Sequence, residues 1–266
     1  MHHTVACHLE ADLAGHADIV LSVAVASSAT IATESLNVTL NGGAVSVLEI
    51  ADEHGTRLHR AKGLGAGRLV VQYDATVTDR AAAPASADID VLRYARPSRY
   101  CEADQIAAFA RAEFDGLHGR PLLDAVTTWV NNHVNYAVGS SRPTDGAVAT
   151  LLSRQGVCRD FAHLVIAILR SCDMPARLVS VYAPGLYPMD FHAVAEAYVE
   201  DGWFVVDATS LAPRSTLLRI ATGRDSADTA FLTVAGDAVT LAWLAVSAYT
   251  EGQLPIDDRT QLVQIG

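Results

Sequence analysis

The stretch GVCRDFAHL, residues 156–164, places a glycine and then a cysteine where an apolar helical pattern begins. Phe161, Val165 and Ile168 follow Cys158 at helical spacing, which predicts a helix over about residues 157–171 with Cys158 in its first turn. Unpaired backbone N–H groups and the positive end of the helix dipole stabilise a thiolate there, and they can hold an oxyanion on an acyl group under attack. The stretch therefore predicts a nucleophilic cysteine, against the alternative of a thiol that is only buried.

A candidate base follows in DFHAVAEAYV, residues 190–199, which reads as a strand. Strand alternation places His192, Val194 and Glu196 on one face and alanines on the other, and a face of small side chains can accept a closely packed helix. The next predicted strand, residues 203–207, ends at Asp207. We expect the Asp207 carboxylate to orient the imidazole of His192, provided that the hairpin brings the two together.

The register of this hairpin decides whether Asp207 reaches His192, and the sequence leaves three registers open. If residues 200 and 201 form the turn, Asp207 lies diagonal to His192 on the same face, roughly 7–8 Å away. If residues 201 and 202 form it, Asp207 lies opposite Glu196 and is too far without a bulge. A three-residue loop over 200–202 puts Asp207 on the wrong face.

Outward from this centre, the chain divides into a β-rich part and a mixed part. Residues 4–78 contain short runs of Val, Thr, Ile and Leu separated by glycine turns, which is typical of consecutive antiparallel strands. Residues 79–87 are rich in alanine with little periodicity and predict a linker. We therefore predict an α+β protein in which an antiparallel β-sandwich-like domain, residues 1–95, precedes a catalytic core, residues 96–266.

The predicted core begins with helices and ends with strands. Apolar spacing predicts two amphipathic helices, one starting near residues 102–104 and one after Pro121, and then a short helix through Leu152 ahead of the Cys158 helix. Strands are predicted over residues 177–182, 191–199, 203–206, 230–235 and 239–249.

Composition and charge exclude several classes of partner. The 266-residue chain has a formal net charge of −11, whereas nucleic-acid binding requires a basic face. The uncharged stretch over residues 19–33 is interrupted by Ser and Thr and is shorter than the about 20 apolar residues of a membrane-spanning helix. The first residues lack the basic segment of an export signal. We therefore predict a cytoplasmic protein that binds neither nucleic acid nor a membrane, in an oligomeric state that the sequence does not indicate.

Irregular cysteine spacing favours reduced thiols over a disulfide framework. The chain contains Cys7, Cys101, Cys158 and Cys172. An intact helix would hold Cys158 and Cys172 about 21 Å apart, which is too far for a disulfide.

We predict no metal and no cofactor. A metal site built from Cys158, His163, Asp190 and His192 lacks the usual ligand spacing. Helical geometry also turns His163 away from Cys158, so His163 is predicted to be a packing or surface residue.

The order of these elements resembles the transglutaminase-like superfamily, which has a papain-like fold of helices packed on an antiparallel sheet. The resemblance rests on Cys158 at a helix start, on His192 in HAVAEAYV, and on the later GW and DAT at residues 202–203 and 207–209. It covers about residues 100–215.

The β-rich part and RPSRYCE, residues 96–102, are similar to the bacterial branch of that superfamily, whose cysteine peptidases carry a β-sandwich before the core. The resemblance implies that Cys158 is the nucleophile, that His192 is the general base and acid, and that Asp207 orients His192. A substrate oxyanion would then be held by the Cys158 N–H and a second donor, for which Trp129 and Tyr136 are the candidates.

The residues around Cys158 decide which activity of that superfamily to expect. Calcium-activated cross-linking enzymes carry Gln-Cys-Trp at the nucleophile, whereas this chain has Val157-Cys158-Arg159 and no calcium loop of alternating acids. We therefore expect a cysteine hydrolase acting on an amide or peptide. The alternatives are a transamidase or acyltransferase with an amine acceptor, and a binding module that kept the fold without activity.

Overall fold

The computed structural model describes residues 2–79 and 87–266, so residues 80–86 of the predicted linker lie outside the described residues. The first described range consists of strands. They are β1 (His3–Leu13), β2 (Ala17–Leu21), β3 (Thr30–Leu40), β4 (Gly43–Ala44), β5 (Leu48–Ala51), β6 (Arg57–Leu64) and β7 (Gly67–Asp79).

The second described range contains the helices and the remaining strands. It begins with α1 (Asp88–Tyr94), α2 (Ala103–Phe114), α3 (Gly119–His133), β8 (Asn135–Tyr136), α4 (Ala147–Ser153), β9 (Gln155–Gly156) and α5 (Cys158–Ser171). It continues with β10 (Ala176–Tyr182), β11 (His192–Val199), β12 (Gly202–Val206), β13 (Leu218–Gly223), α6 (Ser226–Thr229), β14 (Leu232–Gly236) and β15 (Val239–Thr250). A single 3₁₀ turn, Arg214–Thr216, precedes β13.

Two antiparallel sheets form the predicted sandwich. Their strand orders are β15-β1-β7-β3-β4 and β14-β2-β6-β5. Alternate residues of β1 and β7 are buried between the sheets, as the two-residue period of a strand requires when one face is covered. Leu9, Leu69 and Val71 from one sheet and Ile19 and Leu21 from the other meet in this core.

The last two strands join the sandwich, which the predicted division at residue 95 does not anticipate. β14 pairs with β2, and β15 pairs with β1 along its whole length. Val246 and Ala248 of β15 are buried in the sandwich core. The local sequence predicts that β14 and β15 are strands. It does not predict which strands they pair with, because that depends on which sheet edges far away in the sequence are free.

The catalytic core consists of helices on one face of a third antiparallel sheet, as predicted. The sheet order is β12-β11-β10-β13. Helix α5 packs on the small-residue face of β11, where Ala193, Ala195 and Ala197 share a hydrophobic cluster with Leu164 and Ile168. Small side chains on this face let the helix axis approach the strand closely, which places the N-terminus of α5 beside the first residue of β11.

The sandwich and the core share buried residues. The Tyr182 hydroxyl of β10 donates to the Val23 carbonyl at 2.7 Å, and its ring stacks on Tyr73 of β7. Leu218 and Ile220 of β13 complete the sandwich core. In the described ranges, no helix has both the length and the apolar character needed to cross a membrane.

Candidate active site

Cys158 is the first residue of α5, and three neighbours fix its position. Val157 is extended, and its N–H donates to the Asp160 carboxylate at 2.8 Å. A Cβ on Gly156 would lie 2.6 Å from the Asp160 Cβ, so this approach requires glycine. The first helical bonds run from the N–H groups of Asp160 and Phe161 to the Val157 carbonyl. The N–H of Cys158 therefore takes no part in the helix and faces outward from its N-terminus.

His192 and Asp207 form a buried pair. The His192 Nε2 lies 2.8 Å from the Asp207 Oδ2, and the two residues are 1% and 7% exposed. The other carboxylate oxygen, Oδ1, accepts from the N–H of Thr209 at 2.9 Å and from its hydroxyl at 2.6 Å. Asp207 is thus held from two sides, which fixes the orientation of the imidazole.

The hairpin between these residues adopts the first of the three registers. Val199 pairs with Gly202, and Ala195 pairs with Val206. Residues Glu200 and Asp201 form the turn with φ of 50° and 57°, both in the left-handed region. Continuing the register places Asp207 diagonal to His192 on the same face.

The second ring nitrogen of His192 has no bond to Asp207, and the Cys158 side chain acts on the imidazole. Nδ1 is buried and makes no hydrogen bond within the described part of the chain. Burial alone would lower the pKa of His192, but the charge and hydrogen bond of Asp207, together with the adjacent Cys158 side chain, raise it to about 10. In turn, burial tends to raise the pKa of Asp207, and His192 and Thr209 bring it below its ordinary value. The geometry favours an imidazolium next to the sulfur.

Tyr136, one of the two candidate oxyanion donors, lies beside Cys158. The short parallel bridge of β8 and β9 pairs Tyr136 with Gly156 and so brings it to the N-terminus of α5. Burial and the neighbouring Cys158 sulfur raise the pKa of Tyr136 to about 12, and the Cys158 N–H also acts on its hydroxyl. This hydroxyl and this N–H therefore face the same space.

Trp129, the other candidate, does not reach the site. Its Nε1–H donates to Glu113 at 2.9 Å. Its ring packs on Phe109 and His133 and lies under the Arg154 guanidinium. The prediction for Trp129 is corrected on this geometry, because its donor is occupied by Glu113 of α2.

Three residues that the sequence analysis did not single out support the site. Thr209 binds Asp207, and Asp160 binds the residue before Cys158. The Arg159 guanidinium donates to the Ser141 hydroxyl, to the Arg142 carbonyl at 2.8 Å and to Asp160 at 3.1 Å, which ties the loop after Tyr136 to α5. The Arg159 bonds to residues 141 and 142 depend on tertiary contacts and have no local signal. The Asp160 and Thr209 bonds are local, three and two residues along the chain, and the DAT segment gave the signal for Thr209.

The other cysteines and His163 lie apart from the site. All four cysteines, each in a described range, are free thiols. Burial raises the pKa of Cys101, and burial with nearby Asp190 raises that of Cys7 to about 12. Cys172, at the far end of α5, has its pKa raised by partial burial. His163 is buried, stacks on Tyr100, and its Nε2 accepts from the Ser226 N–H, so it is a packing residue.

One group of side chains elsewhere has ligand atoms within 4.8 Å of one another, namely Glu53, His54 and Asp90. The Arg93 guanidinium contacts both carboxylates, so a side chain already offsets one of their two negative charges.

A family model described as the transglutaminase-like superfamily matches residues 117–208. This range contains Cys158, His192 and Asp207.

A crystal structure from Cytophaga hutchinsonii, described provisionally as a cysteine protease, is 31% identical, with a TM-score of 0.88 over 98% of this chain and 96% of that one. An uncharacterized protein of Mycobacterium leprae (strain TN) is 27% identical over 148 residues, 51% of this chain and 52% of the relative. An uncharacterized protein of Mycobacterium tuberculosis (strain ATCC 25618 / H37Rv) is 35% identical over 82 residues, 30% of this chain and 26% of the relative. The chain thus matches about half or less of these two mycobacterial proteins.

Proposed function

The chain belongs to the transglutaminase-like superfamily, and we propose that it is a cysteine-dependent acyl-transfer enzyme that hydrolyses an amide or peptide bond. In this proposal Cys158 is the nucleophile, His192 is the general acid and base, and Asp207 orients His192. The observation that carries it is the buried His192, whose Nε2 is held by Asp207 at 2.8 Å while its Nδ1 is left for Cys158.

The first half-reaction follows from these positions. The Cys158 thiolate attacks the carbonyl carbon of the amide, and the carbonyl oxygen becomes an oxyanion. The Cys158 N–H and the Tyr136 hydroxyl, which face the same space, donate hydrogen bonds to it. The His192 Nδ1 gives its proton to the amide nitrogen as the C–N bond breaks, which leaves a thioester on Cys158 and releases the amine.

The second half-reaction restores the enzyme. Water attacks the thioester carbonyl and gives a proton to the now neutral His192. The C–S bond then breaks, the carboxylic acid leaves, and Cys158 returns as a thiolate beside the imidazolium. Asp207 stays ionised throughout and stabilises the imidazolium.

The proposal is tested by labelling with iodoacetamide, with each modified residue identified by mass. We expect Cys158 to react much faster than Cys172 in the same molecule at about pH 6, where an ordinary thiol is protonated. His192→Ala should remove this advantage, whereas His133→Ala, which changes an exposed histidine on α3, should keep it. Equal reactivity of Cys158 and Cys172, or an advantage that survives His192→Ala, would disprove the proposal and favour a binding module.

A transamidase is the second candidate, and the observation that favours it is the lysine content. Lys62 is the only lysine in the chain, so a transamidase would have few amines of its own to attack. Coding bias toward arginine accounts for the same observation more simply. Once a substrate is found, adding a primary amine and weighing the products distinguishes the two, because a transamidase yields the amide of the added amine and a hydrolase yields the acid.

A further inference from the structure

Three side chains that can bind a metal lie close together where the sandwich meets α1. Glu53 and His54 belong to the turn between β5 and β6, and Asp90 belongs to α1. The His54 Nε2 lies 3.7 Å from the Glu53 Oε1 and 3.5 Å from the Asp90 Oδ1. The donor atoms around a tetrahedral zinc ion, with bonds of about 2.0–2.1 Å, are about 3.4 Å apart. These atoms are therefore already near the spacing that a zinc ion requires.

Hydrogen bonds and burial hold the segments that carry these side chains. The Asp52 carboxylate accepts from the N–H groups of His54 and Thr56, each at 2.8 Å, which fixes the turn. The Tyr94 hydroxyl lies 3.0 Å from the His54 Nε2, and Tyr94 and Asp90 of α1 are both buried. The turn and the helix thus bring the donor atoms together without a bound ion.

A cavity of about 110 Å³ adjoins the group and has room for an ion and its bound water. All three side chains line it, together with Arg177 of β10 and Trp203 of β12. Trp203 is 4% exposed, and its indole N–H has no hydrogen-bond partner within residues 2–79 and 87–266. A buried N–H group is costly to leave unpaired, which points to an acceptor that binds in this cavity. A water molecule bound to a metal ion is such an acceptor.

The Arg93 guanidinium takes the place of a cation in this group. It contacts the carboxylates of Glu53 and Asp90, and it offsets one of their two charges. Its side chain is 37% exposed, so it can turn toward solvent without leaving the core unpacked. The Arg177 guanidinium is instead held by Glu196, at 2.8 Å. A divalent ion in place of Arg93 would balance both carboxylates.

We propose that Glu53, His54 and Asp90 bind a divalent transition-metal ion, with Arg93 as its competitor. One imidazole and two carboxylates suit Zn²⁺, whereas Mg²⁺ and Ca²⁺ prefer oxygen ligands alone. The site is separate from the proposed reaction, and it joins the sandwich to α1 at the start of the core. It also lies outside the residues for which the sequence suggested a possible metal site.

The test is titration of the full chain with Zn²⁺, followed by isothermal titration calorimetry. The parent protein for this test carries Cys158→Ala and Cys172→Ser, because thiolates also bind zinc and the remaining Cys7 and Cys101 are buried. We expect the parent to bind zinc, and we expect zinc to raise its urea unfolding midpoint, since the ion binds the folded chain.

Two variants should change the zinc affinity in opposite directions. Arg93→Ala removes the competing cation, so it should bind zinc about tenfold more tightly, and Arg93→Gln should act in the same direction. His54→Gln removes one ligand and should weaken binding at least about tenfold. His59→Gln is the matched control, because His59 contacts Glu49 at 3.1 Å but belongs to no such group of three in the described residues. Its affinity should equal that of the parent.

An absence of zinc binding to the parent would overturn the proposal, and so would equal affinities in the parent and His54→Gln. Unchanged or weaker binding in both Arg93 variants, with the fold intact by circular dichroism, would also overturn it, because Arg93 would then not compete with the ion. None of these measurements uses the Cys158 thiol, so failure of the zinc site leaves the proposed function standing.

Discussion

His192 and Glu196 lie four residues apart on the same face of β11, both about 1% exposed, and they have opposite surroundings. Glu196 is bound on both oxygens, by the Arg177 Nε at 2.8 Å and by Arg219 at 2.6 and 3.2 Å. The Nε2 of His192 is bound by Asp207, whereas its Nδ1 has no hydrogen bond in the described residues, and the Cys158 side chain acts on the ring. A buried charge whose bonds are complete stabilises the fold, whereas one with a bond left open can take part in chemistry.

The pKa values of Glu196 and His192 reflect this difference in their bonding partners. Burial tends to raise the pKa of Glu196, but Arg219 and Arg177 bring it below its ordinary value, so it stays ionised. The pKa of His192 is raised to about 10 by an acid on one side and a thiol on the other. The lowered pKa of Glu196 keeps its carboxylate charged, whereas the raised pKa of His192 keeps on the imidazole a proton that it can transfer.

The largest expected effect is on stability at Glu196. Glu196→Ala leaves two buried guanidinium groups without their acid, and breaking such a pair costs about 3–5 kcal/mol of unfolding free energy. Urea denaturation measures it. The molecules that remain folded should keep fast iodoacetamide labelling at Cys158. An unchanged midpoint would contradict the stabilising role of Glu196, and labelling lost without unfolding would show that the two regions are not separate.

Asp207→Asn should slow the labelling of Cys158, whereas Glu196→Ala should leave it fast. The charge that raises the pKa of His192 is removed, so this pKa should fall well below 10, and labelling of Cys158 at about pH 6 should slow about 10- to 100-fold. NMR titration of the His192 Cε1–H and the labelling rate check the two parts. Unaltered values for both would mean that Asp207 does not act on His192.

The pH dependence of stability should also distinguish His192 from Glu196 and Asp207. Because the folded pKa of His192 is raised, its contribution is complete below the unfolded value and is lost as the pH rises through about 10. Glu196 and Asp207 have lowered pKa values, so their contributions are present above the unfolded values and are lost in acid.

We expect Asp207→Asn to flatten the alkaline limb by about 1–2 kcal/mol, and to leave an acid limb from Glu196. Urea midpoints at acid, neutral and alkaline pH measure both limbs. An alkaline limb as steep in the variant as in the parent would assign that limb to another group.

The smallest effect is expected at Thr209. Thr209→Ala removes the hydroxyl bond to Asp207, worth about 0.5–1.5 kcal/mol, while the backbone N–H bond remains. Labelling of Cys158 at about pH 6 should slow a few-fold, and Thr209→Ser should restore it. A loss that serine does not restore would point to the methyl group and to packing.

The hairpin of β11 and β12 shows how much of the site can be predicted from the sequence. Alternation along β11 correctly gave the two faces and the candidate residues, but not the register. The turn uses Glu200 and Asp201, both with positive φ, rather than Gly202. A Cβ on Gly202 would lie 3.0 Å from the Gln264 Nε2 and from the Phe204 ring, so both side chains pack closely on this glycine. The contact with Gln264 comes from 62 positions away and has no local signal.

The remaining differences also arise from distant contacts. β15 was predicted as a strand, but its partner β1 lies at the other end of the chain. Trp129 and Tyr136 were candidates for the second oxyanion donor, but the sequence did not show where their donors point. The pairing of Tyr136 with Gly156 brings Tyr136 to the site, whereas the bond to Glu113 holds the Trp129 donor away from it.

The central claim is that His192 is shared between Asp207 and Cys158, and NMR titration of the His192 Cε1–H before and after alkylation of Cys158 tests it most directly. The Cys158 side chain contributes to raising the pKa of His192 to about 10. We therefore expect this pKa to fall once iodoacetamide has capped the sulfur, and Cys158→Ala to reproduce the lower value. A pKa of His192 that is the same before and after capping would contradict the claim.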